Sequence, residues 1–63
     1  MIKNVIRWPQ KDMVIVFDEH GEQMPEYQGP YKEVKEKVLA DAPPEAIFGH
    51  IIAALQRVPR EEW

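Results

Sequence analysis

Three side chains near residue 20 have the types and the spacing of a small metal site. Asp18, His20 and Glu22 occupy alternate positions, so an extended backbone would place all three on one side of a strand. Two carboxylates and an imidazole could then bind a divalent cation. The segment 18–21 is also typical of a hairpin turn, however, in which the backbone is not extended. We therefore interpret these residues as a turn and expect no metal.

A second candidate for chemistry is a group of carboxylates in and beside the predicted turns. Paired carboxylates act as general acid and general base when burial raises the pKa of one of them. The pattern gives no sign of burial, because each residue lies in a turn or close to Pro25. We expect a solvated acidic edge, and an alternative is that this edge imitates nucleic-acid phosphates. Its members are Asp12, Asp18, Glu19, Glu22 and Glu26.

Covalent catalysis lacks its usual nucleophiles in this chain. There is no serine, threonine or cysteine, which leaves only the phenols of Tyr27 and Tyr31. His50 lies between the apolar residues Phe48 and Ile51, and a catalytic base would need a partner and a pocket. A histidine beside apolar residues is more typical of packing or of an interface. The sequence therefore predicts a protein that is not an enzyme and that uses no cofactor.

The length of 63 residues predicts one domain spanning residues 1–63. A domain this small buries only about 60% of its unfolded surface, and disulfides, a metal or self-association usually supply the missing stability. Cysteine is absent, so we expect self-association. The formal net charge is −3 and no basic stripe is present, which disfavours nucleic-acid binding. No uncharged stretch approaches the roughly 20 residues of a membrane span, so we expect a cytoplasmic protein without membrane contact.

The first half of the chain predicts strands. Residues 2–8 alternate imperfectly between apolar and polar, as in a half-buried strand. Residues 13–18 are apolar on both faces, which indicates a strand in the middle of a sheet or one covered on both sides. A return strand over 22–27 contains Pro25 and must lie at an edge.

The second half predicts helices. A first helix spans about 30–41 and ends before Pro43. Apolar residues at helical spacing predict a second helix over about 45–57, although Gly49 costs about 1 kcal/mol there and 46–52 could instead form a fourth strand. The predicted fold is α+β: a three-stranded antiparallel meander (2–8, 13–18, 22–27) followed by two helices (30–41, 45–57) packed on one face.

The segment 46–56 carries no charged side chain and therefore predicts an interaction surface. Small residues on the back of the predicted second helix would allow another chain to approach closely. Aromatic residues are frequent binding hot spots, and Trp63 could either fold back onto the domain or insert into a partner. The predicted surface comprises Trp8, Tyr27, Ala46, Gly49, His50, Ala53, Ala54 and Trp63.

These observations predict a small non-catalytic protein-binding module, such as an adaptor, a regulatory subunit or an inhibitor of a larger protein. Its expected partner is a second copy, forming a homodimer, or another protein. The alternative is a nucleic-acid-linked regulator in which Lys3 and Arg7, with Lys11, contact phosphates.

Overall fold

The fold is a four-stranded mixed sheet with one helix, as a computed structural model describing residues 1–63 shows. The strands are β1 (Ile2–Trp8), β2 (Met13–Asp18), β3 (Ile47–Ile51) and β4 (Leu55–Val58), and the helix is α1 (Tyr31–Asp41). Short 3-10 turns occupy Pro9–Lys11, Pro25–Tyr27 and Arg60–Glu62.

The strand order across the sheet is β2-β1-β3-β4. β1 is antiparallel to β2 and parallel to β3, and β3 is antiparallel to β4. The register pairs Val5 with Val16 on one side and with Phe48 on the other, so these three side chains share one face of the sheet.

Helix α1 covers that face and no other. It begins after Pro30 and ends at Asp41, where Ala42 is extended ahead of Pro43. Val34 and Val38 lie four residues apart, point toward the sheet and are buried. The core is therefore a single layer between the helix and the sheet. Its nine members are Ile2, Val5, Val14, Val16, Val34, Val38, Ala42, Phe48 and Trp63.

The predicted meander is wrong, because residues 22–27 do not form a strand. This segment runs beside β2 but pairs with it only through isolated bridges, Phe17 with Gln23 and Val14 with Gly29. Pro25 has no N–H to donate to a ladder, and it begins a 3-10 turn instead. The middle strands are thus β1 and β3, and β2 is an edge strand.

The predicted second helix over 45–57 is also wrong, because this segment forms the hairpin of β3 and β4. The fourth-strand alternative, weighed for 46–52, is the one that the structure follows. Gly49 sits in the middle of β3, where an added Cβ would lie 3.1 Å from the carbonyl oxygen of Gln56. The close approach of the two strands at this point explains why a residue unfavourable in a helix is suited to the sheet. The α+β class remains.

Candidate functional site

Trp63 folds back onto the domain. Its side chain is only 3% exposed and packs edge-on against the rings of Tyr31 and Phe48, each with centroids 5.2 Å away. Arg60 holds the preceding turn in place by donating to the main-chain oxygens of Ala42 and Pro43. Of the two alternatives for Trp63, the structure follows the fold-back, and Trp63 is the largest side chain of the buried layer under α1.

His50 lies on the helix-covered face and contacts Trp63. Its Nε2 atom is 3.2 Å from the main-chain oxygen of Trp63, and the Arg7 guanidinium donates to the same oxygen at 3.0 Å. The Arg7 guanidinium also stacks 3.6 Å above the ring of Tyr31. These contacts hold Arg7 and His50 in one structural cluster with Trp63. Arg7, which the nucleic-acid alternative groups with Lys3 and Lys11, therefore has structural contacts within the chain.

Tyr27 connects the segment beside β2 to the helix. Its hydroxyl donates to the Asp41 carboxylate at 2.7 Å, and its ring packs partly buried against the core. The hydrogen bond to Asp41 is the main cause that raises the pKa of Tyr27, because it stabilises the protonated phenol. Lys37 reaches over the same ring and donates to the main-chain oxygen of Glu26. Tyr27 therefore joins the segment beside β2 to α1.

The Asp18 carboxylate closes the hairpin turn. It accepts the backbone N–H of His20 at 2.8 Å and that of Glu22 at 3.0 Å, and Gly21 adopts the left-handed φ of +79° that this turn requires. The hydrogen bond from Glu22 is the largest cause that lowers the pKa of Asp18. The turn therefore uses the carboxylate as a backbone acceptor, and the structure brings together no cluster of three metal-ligating side chains.

The depressed pKa of Asp18 predicts a contribution to acid stability. A carboxyl group whose pKa is lower in the folded than in the unfolded chain stabilises the fold above about pH 4, and this contribution is lost as the pH falls through the folded value. Asp18→Asn is therefore expected to lower the urea midpoint at about pH 7 and to have a smaller effect at about pH 2.5. Asp12→Asn is the matched control, because the Asp12 carboxylate accepts no hydrogen bond. Equal losses for both variants at both pH values would contradict this role.

The other predicted contact residues lie in different places. Ala46 precedes β3 and packs against the core, whereas Ala53 and Ala54 are exposed in the turn between β3 and β4. Trp8 and Gly49 lie on the side of the sheet that α1 does not cover. The structure therefore separates the predicted surface, and only these last two belong to the site described next.

The side of the sheet that α1 leaves uncovered is the candidate functional site, which we call the open face. The register defines it: Ile6 lies between Ile15 and Gly49, Trp8 pairs with Met13, and Ile51 with Leu55. None of its apolar side chains packs against the core. The open face consists of Asn4, Ile6, Trp8, Met13, Ile15, Phe17, Ile47, Gly49, Ile51, Leu55 and Arg57.

A shallow depression of about 70 Å³ lies near the centre of the open face. Its floor is Gly49, which has no side chain to fill the row between Ile6 and Arg57. Leu55 borders it and is 60% exposed, an unusual position for a large aliphatic side chain in a strand. The depression gives the otherwise flat sheet a place where a partner side chain can insert.

The charge of the open face differs from that of the whole chain. The chain has a formal net charge of −3, yet the open face carries no carboxylate and one cation, Arg57. A second cation, Lys11, lies with its Nζ atom 5.1 Å from the ring centroid of Trp8 at one corner. Apolar surfaces with charged residues at their margins are typical of contacts with other macromolecules.

Sequence reasoning missed most of the open face, although one signal for it was present. Residues 13–17 are apolar on both faces, a pattern that predicts a strand covered on both sides or central in the sheet. In the folded chain only one of those faces is covered, and β2 is at an edge. The second apolar face of such a run is therefore available for contacts outside the chain.

Comparison with protein-family models, curated proteins and solved structures finds no significant match to this chain. No helix has the combination of length and apolar character that crossing a membrane requires.

Proposed function

We propose that this chain is a non-catalytic protein-binding module that self-associates through the open face. The observation that carries the proposal is the position of eight large apolar side chains on the side of the sheet that the helix leaves uncovered. They are Ile6, Trp8, Met13, Ile15, Phe17, Ile47, Ile51 and Leu55.

The small size of the core supports this proposal. Nine apolar side chains form the buried layer, and almost as many large ones remain on the open face. A second copy offers the same apolar surface, and two sheets can pack face to face at about 10 Å. Such packing would convert a two-layer domain into a four-layer one with a second core.

The expected dimer is weak. Four strands about 4.8 Å apart and about 17 Å long give the open face a plan area of about 320 Å². Stable interfaces bury about 800 Å² on each partner. The open face is smaller than this even when the added surface of its protruding side chains is counted. We therefore expect dissociation in the micromolar to millimolar range rather than a permanent dimer.

Sedimentation equilibrium over that concentration range tests the proposal. Wild-type chain is expected to shift from monomer to dimer, and Ile6→Glu is expected to remain a folded monomer, because a carboxylate at the centre of the open face would be desolvated on packing. Ala53→Glu introduces the same charge in an exposed turn and is expected to dimerise like the wild type. A wild type that stays monomeric at millimolar concentration would overturn the proposal, as would a dimer that Ile6→Glu leaves intact.

A further inference from the structure

The two outer edges of the sheet, formed by β2 and β4, differ in whether their outward backbone groups are hydrogen-bonded. The edge of β2 is closed by residues 22–29, which run along it. Val14 and Gly29 exchange N–H···O bonds of 2.8 and 3.2 Å, and the Met24 N–H donates to Val16 at 2.8 Å. The Asp18 N–H donates to the Glu22 carbonyl at 2.9 Å. These four bonds occupy most of the outward backbone groups of β2, so residues 22–29 cover this edge.

The edge of β4 has no such cover. Among the backbone hydrogen bonds outside the helix and the strand pairs, none involves Leu55–Val58. Residues 55–57 are exposed, and Ile52 in the adjoining turn is 50% exposed. An uncovered edge presents a row of unpaired N–H and C=O groups, which is a template for pairing with an added strand.

We propose that the β4 edge binds an extended segment of another protein that carries a carboxylate opposite Arg57. An added strand would gain main-chain hydrogen bonds along the four residues of β4, bounded by the turn at 52–54 and by Pro59. Arg57 is exposed and makes no hydrogen bond or ion pair within the chain. Opposite charges facing each other across two strands are favourable, so a carboxylate is the side chain that this edge selects.

The charge pattern disfavours a second copy as the occupant of this edge. No Asp or Glu lies between Glu45 and Glu61, so antiparallel pairing of two β4 strands would bring two Arg57 side chains close together without a compensating carboxylate. This inference does not require self-association through the open face, because the added strand pairs with the backbone of β4 and only the Arg57 side chain is shared with that face.

Peptide binding monitored by NMR on isotope-labelled full-length chain tests the inference. The probe is the capped peptide Thr-Val-Glu-Val-Thr, and the matched control replaces its Glu by Lys. We expect the Glu peptide to shift the amide signals of residues 55–58 with millimolar affinity and to bind about fivefold more tightly than the Lys peptide. Arg57→Glu is expected to reverse this preference, and Lys32→Glu, an equal change of charge at an exposed position of α1, is expected to leave it unchanged.

Three results would overturn the inference. The first is that neither peptide shifts residues 55–58. The second is that a version of the Glu peptide methylated on alternate backbone nitrogens binds as well as the unmethylated one, since it cannot donate to the edge. The third is that Arg57→Glu binds the Glu peptide as tightly as the wild type does, which would show that Arg57 does not select a carboxylate.

Discussion

A Trp63→Ala variant is expected to lose about 3–5 kcal/mol of the free energy of unfolding, which is comparable to the whole stability of a domain this small. The side chain is 3% exposed and contacts Tyr31 and Phe48, so its removal opens a cavity between α1 and the sheet. Urea denaturation followed by far-ultraviolet circular dichroism measures the loss, and fluorescence from the remaining Trp8 reports on the open face in the same sample.

Trp63→Phe is the matched control for this variant. Phenylalanine keeps an aromatic ring in the site and removes the indole N–H, which is buried without a hydrogen-bond partner. We therefore expect a loss of less than half that of Trp63→Ala. A Trp63→Ala variant that unfolds within about 1 kcal/mol of the wild type would show that the side chain is not part of the core.

Val16→Asp is expected to prevent folding at room temperature, whereas Ile15→Asp is expected to fold. The two residues are neighbours in β2 but point to opposite faces: Val16 is fully buried under α1, and Ile15 lies on the open face. An aspartate at 16 would place a carboxylate in the core without a partner, at a cost of several kcal/mol. At position 15 the cost is about 1–2 kcal/mol, from poorer strand propensity and lost apolar contact.

Circular dichroism and amide dispersion in NMR spectra distinguish folded from unfolded chain for this pair. Val16→Asn serves as a control of similar size without the charge and is expected to be destabilised less than Val16→Asp. If both aspartate variants unfold, β2 is covered on both faces within one chain and the open face does not exist.

The sequence was sufficient to place β1, β2 and α1, because each has one dominant signal. The turn at residues 9–12 separates β1 from β2, the turn at 18–21 ends β2, and Pro30 and Pro43 bracket the helix. These signals act locally, so they need no knowledge of the rest of the chain. The order of the strands in the sheet does not follow from such local signals. The predicted meander was wrong because β1 pairs with β3, which lies about 40 residues further along the sequence.

The segment 47–58 was predicted to be a helix because the spacing of its apolar residues fits a helix as well as a strand. Ile47, Ile51 and Leu55 repeat every four residues, as on a helix, yet in the hairpin they fall on the open face. Phe48 and Val58 fall on the covered face. A strand that is apolar on both sides lacks the apolar–polar alternation that predicts a strand. Gly49 was the only residue in the segment that disfavoured a helix.

The sequence predicted an uncovered apolar surface but did not identify most of the residues that form it. An uncovered apolar surface followed from the small size of the chain and from the charge-free segment, and Trp8 and Gly49 belong to it. The remaining members could not be identified, since membership depends on which face of each strand the helix covers. That choice is set by packing of Val34 and Val38 against the sheet, not by any property of the strands alone.

The parallel pairing of β1 with β3 has a consequence for how the chain acquires its fold during synthesis. The hairpin of β1 and β2 is complete when residue 18 has been made, but β1 pairs Asn4 with Ile47 and Arg7 with His50 on its other side. Until β3 emerges, the nascent hairpin has an open inner edge, and until α1 emerges both of its faces are uncovered. Closing so long a loop slows folding relative to a meander of the same size. The growing chain is therefore most prone to aggregate between synthesis of β2 and synthesis of β3.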